Sequence, residues 1–321
     1  MNLGLPYKGS KNTIAFDIVN ALPRGKKFLD ACCGGGAILM AAAMSMRWEK
    51  VVGNDLNPAT IALLDAVLIH KGQIEYEHPP VCTRDDFFHS LQRIENGDFD
   101  IQDCVNKYCA SFGNNGQTYL WNEEIEKVKT NIEDMLCNVS LNKRRLAFRK
   151  FISFLIDEKK FDLNKLENIQ QLQNLERLQR LERLERLERL ERLERLERLE
   201  RLERLDIFDI DYSEFDVVYF DIPYKNTAKY DFNFDYDRFY KFFAELDKPA
   251  FLSEYNAPFT CVGSFDKRAL YRDLSRLKGK SEGLEKLYFN GSLEQYRELM
   301  GKEYKPLNEE KPLDLFGERV A

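Results

Sequence analysis

The sequence is poor in the residues that build metal and disulfide sites. It has three histidines and seven cysteines, and no two cysteines form a C-x-x-C pair or a zinc-ligand spacing. An odd number of cysteines without such pairs is typical of reduced thiols in a cytoplasmic protein. No hydrophobic run has the length of a membrane helix, and the opening residues MNLGLPYKGSKNT lack a signal-peptide apolar region. These absences predict a cytoplasmic protein that uses no metal and no membrane.

An excess of basic charge is also absent, since the formal net charge is −6. This balance argues against a generally basic coat for nucleic acid and leaves local basic patches to contact phosphate. Hydrophobic residues make up 44% of the 321 residues, which is enough for a sizeable buried core.

The two ends of the chain alternate between helix and strand patterns. Near the start, apolar spacing predicts a helix over 12–23, a strand over 26–33, a helix over 37–46, a strand over 50–55 and a helix from Pro58. Near the other end, LDIFDIDY and FDVVYFDIPY are expected to be successive strands, YDRFYKFFAEL a helix, and KPAFLSEYNAP and EKLYFNG two further strands. This rhythm predicts an α/β fold with a parallel sheet and helices on both of its faces.

A low-complexity tract separates the two α/β parts. Residues 163–205 carry an apolar residue at every third position, mostly as a Glu-Arg-Leu triplet repeat. The repeat places each Glu four residues before an Arg, which favours a long helix covered with ion pairs. A disordered or differently folded tract is the alternative. The predicted organisation is a catalytic domain of residues 1–70 and 206–321, a helical target-recognition insert of residues 71–162, and the repeat.

A glycine-rich turn follows the first predicted strand. Gly34, Gly35 and Gly36 lie between that strand and a helix, where free N–H groups and close backbone approach suit a ligand. Asp55 ends the next strand, at a position that commonly binds ribose hydroxyls. The dinucleotide fingerprint is incomplete, because Leu39 stands at its third glycine. An acid at Asp30 suits the cationic groups of S-adenosylmethionine better than a pyrophosphate.

A second polar cluster ends the strand in VVYFDIPYKN. Asp221, Pro223 and Tyr224 follow four apolar or aromatic residues at once. An ordinary turn explains this stretch when it is taken alone, since Pro and Asp both end strands. An active site at the strand end is the other interpretation.

The order of these motifs carries a family resemblance. PYKGSK, FLDACCGG, NDLNP, DIDY and DIPY occur in this order, with the insert before the last two. The chain resembles the Dam-type, alpha-group (D12 class) DNA adenine N6-methyltransferases over both α/β parts. The resemblance implies S-adenosylmethionine as cofactor and double-stranded DNA as partner. It implies a cofactor site formed by Tyr7, Lys11, Asp30, Gly34, Gly35, Asp55, Asp211 and Tyr212, with the last two at the cofactor adenine.

The same resemblance places catalysis at Asp221, Ile222, Pro223 and Tyr224. In the family the second of these positions is proline and contributes its backbone carbonyl, which Ile222 also has. Asp221 and that carbonyl would accept the N–H bonds of the adenine amine, which favours a pyramidal nitrogen whose lone pair faces the methyl group. Because a paired base cannot reach such a pocket, the target adenine would be flipped out and stacked on Tyr224.

DNA contacts are predicted for two basic segments and one loop. Lys143, Arg144 and Arg145 lie in NKRRLAFRK, and Lys267 and Arg268 begin DKRALYRDLSRLKGK. Phosphate binding is their expected role, with a solvated helix face as the alternative. In SFGNNGQTYLW, Asn114 and Asn115 are suited to reading adenine edges, unless this stretch is a plain surface turn.

Two other functions are compatible with the same motifs. One is methylation of a different planar amine, such as cytosine N4 or glutamine, although those enzymes more often carry Ser or Asn at the position of Asp221. The other is a catalytically decayed methyltransferase that acts as a DNA-binding or interaction protein. A place in restriction–modification fits the resemblance, but no residue identifies the recognition sequence or a cognate nuclease.

Overall fold

The computed structural model describes residues 3–70, 82–121, 123, 196–224, 234–266 and 284–303. The chain divides into two compact units. The first consists of Met1–Ser10 and Asn57–Glu194, and the second of Lys11–Leu56 and Arg195–Ala321. Among the described residues, no helix is long and apolar enough to cross a membrane.

The second unit is built on a seven-stranded sheet. Its strand order is β3-β2-β1-β4-β5-β7-β6. The first five strands of this order pair in parallel, and β7 lies antiparallel between β5 and β6. The strands are β1 (Lys27–Asp30), β2 (Lys50–Asn54), β3 (Leu199–Glu203), β4 (Val217–Phe220), β5 (Ala250–Glu254), β6 (Thr260–Asp266) and β7 (Leu284–Phe289). The predicted α/β class and parallel sheet are confirmed.

Seven α-helices lie within the described residues. Several begin at residues whose side chains accept backbone N–H bonds, as Thr83, Asp100 and Ser292 do in capping boxes. The helices are α1 (Ala15–Asn20), α2 (Ala37–Ser45), α3 (Pro58–Leu64), α4 (Arg84–Asn96), α5 (Ile101–Cys109), α6 (Tyr236–Glu245) and α7 (Leu293–Met300).

Helices cover both faces of the sheet in the second unit. Side chains of successive strand residues point to opposite faces, so those of Phe251 and Leu252 lie on different faces of the sheet. Leu252 belongs to a buried cluster that contains Phe239 and Phe243 of α6. The Phe251 ring lies 6.1 Å from the ring of Tyr296 in α7. Strands β4 and β5 are buried at every residue, so both of their faces are covered, which fits their largely apolar sequences.

The end of the Glu-Arg-Leu repeat is a strand and not a helix. Leu199–Glu203 forms β3 at the edge of the sheet, paired in parallel with β2. The buried Asn54 side chain anchors the following turn, because it exchanges hydrogen bonds with the backbone of Leu205 and also donates to the Ala31 carbonyl. Sheet pairing outweighs helical Glu–Arg pairs worth about 0.2–0.5 kcal/mol each. The helix prediction is wrong for these residues, and 163–195 lies outside the described residues.

The stretch LDIFDIDY is also not a strand. After β3 the chain turns, with the Asp209 N–H bonded to the Asp206 carbonyl at 2.9 Å, and Tyr212–Glu214 forms a short 3₁₀ turn. Ile207 and Ile210 are buried in the core all the same. Their burial accounts for the strand-like pattern. The prediction took the apolar residues of a packed turn for those of a β-strand.

The described part of the first unit contains α3, α4 and α5. A five-residue π-helical turn, Asp65–Ile69, continues α3. The hydroxyls of Thr60 and Tyr108 lie 2.5 Å apart and join α3 to α5. After α5, a bridge between Ser111 and Tyr119 closes a tight loop.

Candidate active site

Three acidic residues lie at the ends of three neighbouring parallel strands in the second unit. Asp30 is the last residue of β1, while Asp55 and Asp221 come directly after β2 and β4. The carboxyl ends of parallel strands meet at one edge, which is where open α/β sheets bind ligands. The strand order places β1 between the other two strands. The three acids expected from separate motifs therefore share one edge.

The glycine turn links two of these strand ends. Gly34 and Gly36 have φ of 46° and 76°, a region that residues with a side chain rarely adopt. Gly36 is the residue before α2, so the N–H groups of the first turn of α2 start here. The Gly34 N–H donates to Asp55 Oδ2 at 2.8 Å. Asp55 is therefore held against the glycine turn.

The Asp30 carboxyl is deeply buried. Its side chain is 1% exposed, and neither oxygen meets a donor with hydrogen-bond geometry among the described residues. Burial raises its pKa well above the usual value, and the charges of Asp221 and Asp55 raise it further. The Leu39 amide and the Lys11 ammonium offset only part of this rise. Burying such a group costs free energy unless a hydrogen-bond donor or an opposite charge compensates it.

Lys11 binds the carboxylate of Asp221 with both oxygens engaged. Its Nζ donates to Oδ1 at 2.6 Å and to Oδ2 at 2.7 Å. Lys11 is 3% exposed, whereas the Asp221 side chain is 22% exposed. Burial would lower the pKa of the ammonium, but Asp221 and Glu285 overcome this and raise it. Lys11 is therefore a buried cation kept charged by two acids.

Glu285 is the second acid and comes from β7. It is fully buried, its Oε1 lies 3.5 Å from Lys11 Nζ, and the same oxygen accepts a hydrogen bond from the Tyr224 hydroxyl. Burial and the charges of Asp221 and Glu285 raise the pKa of Tyr224, so its hydroxyl stays protonated as a donor. This residue was missed from the sequence. EKLYFNG was interpreted only as a strand, and one acid in a strand gives no local signal.

The other residues of DIPY support this arrangement. Ile222 is 1% exposed and packs in the core under the strand end. The Pro223 carbonyl accepts a hydrogen bond from the Tyr236 hydroxyl at 2.9 Å. The Tyr224 ring meets Tyr255 edge-on, with 4.8 Å between centroids, and Lys11 Nζ lies 4.7 Å from the Tyr224 centroid. The turn is held by its neighbours although it lacks one proline.

Asp211 caps the 3₁₀ turn before β4, and Tyr212 is its first residue. Asp211 is exposed and accepts the Ser213 N–H at 2.9 Å, and hydrogen bonds from Ser213 lower its pKa. Tyr212 is 8% exposed and its hydroxyl donates to the Ile207 carbonyl at 2.5 Å. The Tyr212 ring is thus mainly a core group, which leaves its backbone and the Asp211 side chain for a ligand.

The remaining predicted residues belong to the first unit or lie outside the described residues. Tyr7 packs 5.8 Å from Tyr108 in the first unit. Asn115 is used within its own loop, since it donates to Thr118 Oγ1 and accepts the N–H groups of Gln117 and Thr118. Asn114 has φ of 58° in the same loop. The basic candidates outside the described residues are Lys143, Arg144, Arg145, Lys267 and Arg268.

The sheet and its acidic edge are consistent with one class of protein, a methyltransferase of mixed α/β fold. A family profile described as D12 class N6 adenine-specific DNA methyltransferase matches residues 7–282. The chain belongs to this family, so it is an enzyme that methylates the N6 amine of adenine in DNA. A search of curated proteins found no match. Within the described residues, no group of three or more His, Cys, Asp or Glu side chains is arranged to hold a metal.

Proposed function

We propose that the methyl donor is S-adenosylmethionine and that it binds at the acidic edge of the sheet. The observation that carries this proposal is that the Asp30 carboxyl is buried near Asp55 and Asp221, and that among the described residues no donor meets its oxygens with hydrogen-bond geometry. A ligand with a sulfonium and an amino group fits an acid-rich pocket of this kind, because it supplies the missing positive charge. When bound, it supplies an activated methyl group.

The other expected cofactor residues have complementary chemistry. Asp55, held by the Gly34 N–H, has a carboxylate suited to ribose hydroxyls. Gly34 and Gly35 let the backbone approach closely, and Asp211 with the backbone of Tyr212 would contact the adenine ring. Lys11 acts by binding the acidic residues of the site. Tyr7 is the last of the proposed cofactor residues and was predicted from the opening motif.

Asp221 and the Ile222 carbonyl bind the target amine in this proposal. Adenine N6 is a weak nucleophile, since its lone pair is delocalised into the ring. Accepting both N–H bonds orients that lone pair and stabilises the positive charge that develops during transfer. Pro223 fixes the turn, and Tyr224 offers a face to a base flipped out of the duplex.

Sequence-specific recognition of double-stranded DNA is assigned to the insert, residues 71–162. Lys143, Arg144 and Arg145, together with Lys267 and Arg268, would contact phosphates. Asn114 remains a candidate for the base edges, whereas the internal bonds of Asn115 favour a role in shaping the loop. A cytoplasmic location and a place in restriction–modification are part of the same proposal.

Mass spectrometry of nucleosides tests the proposal. Unmethylated bacterial genomic DNA is incubated with the pure protein and methyl-deuterated S-adenosylmethionine, then digested. Deuterated N6-methyladenine is the expected product, and long-read mapping of the same DNA gives the recognition sequence. Labelled N4-methylcytosine would instead assign another planar amine. A protein that binds no S-adenosylmethionine in calorimetry would disprove the cofactor assignment.

A further inference from the structure

Each carboxylate oxygen of Asp221 already accepts a hydrogen bond in this structure. Both oxygens accept hydrogen bonds from Lys11, at 2.6 and 2.7 Å. The proposed chemistry needs one of these oxygens for an N–H of the target amine. Each oxygen keeps a second lone pair, so the amine would share its acceptor with the ammonium, and a shift of Lys11 away from that oxygen would leave it less crowded and more basic toward the amine.

Glu285 is placed to make this shift possible. A buried ammonium that loses a carboxylate contact is costly unless a second acid compensates. Glu285 Oε1 lies 3.5 Å from Lys11 Nζ, and the two side chains are 0% and 3% exposed. Glu285 thus provides a carboxylate toward which Lys11 can shift without leaving its buried position.

The same oxygen also fixes the aromatic side of the site. The Tyr224 hydroxyl donates to Glu285 Oε1, and the Lys11 ammonium lies 4.7 Å from the Tyr224 ring centroid. One carboxylate therefore contacts both groups that border Asp221. Its strand, β7, is antiparallel to β5, which pairs with β4, so the sheet itself sets these distances.

We propose that Glu285 is a positioning residue for methyl transfer: it holds the Lys11 ammonium and the Tyr224 hydroxyl so that Asp221 can release one oxygen to the target amine. The inference rests on the proposed roles of Asp221 and Tyr224. Glu285 acts through Lys11, without touching the reacting atoms.

The test compares Glu285→Gln with the wild-type enzyme in single turnovers. Unmethylated bacterial genomic DNA and methyl-deuterated S-adenosylmethionine are used at saturation, and labelled N6-methyladenine is counted over time. Glutamine keeps an oxygen for Tyr224 and removes the charge. We expect the transfer rate to fall about 10- to 100-fold, the scale of a small misplacement of reacting groups. Cofactor affinity and the KM for DNA should stay unchanged.

A matched control separates this effect from general loss of packing. Ser253 on β5 is also fully buried, and its hydroxyl lies 2.6 Å from that of Tyr219. Ser253→Ala should keep the wild-type transfer rate. A Glu285→Gln enzyme with the wild-type rate would overturn the inference, as would an equal loss of rate in both variants. A wild-type enzyme that methylates no adenine would instead contradict the proposed function.

A second comparison tests whether Glu285 acts through Lys11. The loss caused by Glu285→Gln is measured again in a Lys11→Met background, where there is no ammonium to hold. The loss should disappear there, and an equal loss in both backgrounds would overturn the inference. If Glu285→Gln does not fold, Glu285→Asp replaces it in the same two backgrounds and is judged in the same way.

Discussion

The charged residues at the carboxyl ends and at the amino ends of the parallel strands differ in their exposure to water. At the carboxyl ends of the strands, Asp30, Lys11 and Glu285 are almost fully buried. At the amino ends, Lys27 bonds Glu200 and Glu214, and Arg201 also pairs with Glu214. The side chains of this second group are 14–37% exposed. Water therefore screens charges at the amino ends and is largely excluded from the carboxyl ends.

This is the difference expected between the proposed active site and a stabilising surface. Exposed ion pairs contribute little and replace one another easily. Buried acids that outnumber their cations cost stability, and a protein that keeps them uses them for binding or chemistry. Changes at the carboxyl ends should therefore alter methylation, and changes at the amino ends should alter stability alone.

The largest effect is expected from Asp221→Ala. The variant loses the acceptor for the target amine, so methyl transfer should fall by about 10²- to 10³-fold or more. Label incorporation into N6-methyladenine measures this loss. Asp209→Ala, at an exposed residue of the turn before β4, is the control and should keep full activity. An active Asp221→Ala enzyme would move the catalytic role to another residue.

Asp30→Asn should weaken cofactor binding and stabilise the ligand-free protein. Losing the charge opposite a cationic ligand is expected to reduce affinity for S-adenosylmethionine about tenfold or more in calorimetry. Because the folded-state pKa of Asp30 is raised above 3.8, wild-type stability falls as pH rises from that value toward the folded-state pKa. The variant should therefore melt at a higher temperature at neutral pH.

The pH dependence provides the check on this second prediction. Below the unfolded-state pKa both states of the wild type hold the proton, so the advantage of Asp30→Asn should fade toward about pH 4. A melting-temperature difference that stays constant across pH would show that packing, and not the charge, causes it.

Arg47→Ala tests a buried guanidinium near the amino ends of the strands, an exception to the exposed pairs there, and the expected loss is in stability. The buried Arg47 guanidinium donates to the Leu22 carbonyl at 2.6 Å and to Glu303 at 2.7 Å. Its removal should cost about 1.5–3 kcal/mol in urea unfolding, with the transfer rate unchanged. Arg24→Ala is the matched control, since the exposed Arg24 binds the same Glu303 and should cost about 0–1 kcal/mol.

The smallest effect is expected from Glu214→Gln. Hydrogen bonds from Lys27 and Arg201 lower the pKa of Glu214, so its stabilisation is present above the unfolded value of 4.5 and is lost as pH falls through the folded-state pKa. Its side chain is 37% exposed, so screening limits the loss to about 0.5 kcal/mol at neutral pH. Urea unfolding at neutral pH and at successively lower pH measures the difference, which should shrink as pH falls and vanish below the folded-state pKa. A loss of methylation would contradict the expectation that changes at the amino ends of the strands alter stability alone.

The predictable part of the site consists of short motifs at strand ends. Asp30, Gly34 and Asp55 lie within one strand–turn–helix–strand stretch, so their geometry follows from local sequence. Asp221 follows an apolar strand in the same way. The order of these motifs also predicted the family that residues 7–282 match.

The structure departs from sequence-based expectation where long-range pairing decides. Leu199–Glu203 has the local features of a charged helix, yet it pairs with β2 at the sheet edge. Glu285 lies far along the chain from Lys11, and only the position of β7 brings the two together. Periodicity and propensity describe near neighbours, so neither could predict these contacts.

The sequence by itself determined the α/β class, the order of motifs and the residue types that suit adenine methylation, because these depend on local patterns of apolar, glycine and acidic residues. The tertiary structure alone decided that Lys11 binds both oxygens of Asp221, that the oxygens of the buried Asp30 meet no hydrogen-bond donor among the described residues, and that Glu285 lies 3.5 Å from Lys11. Burial and distance belong to the packed sheet, and they turn ordinary charged residues into a site whose charges depend on one another.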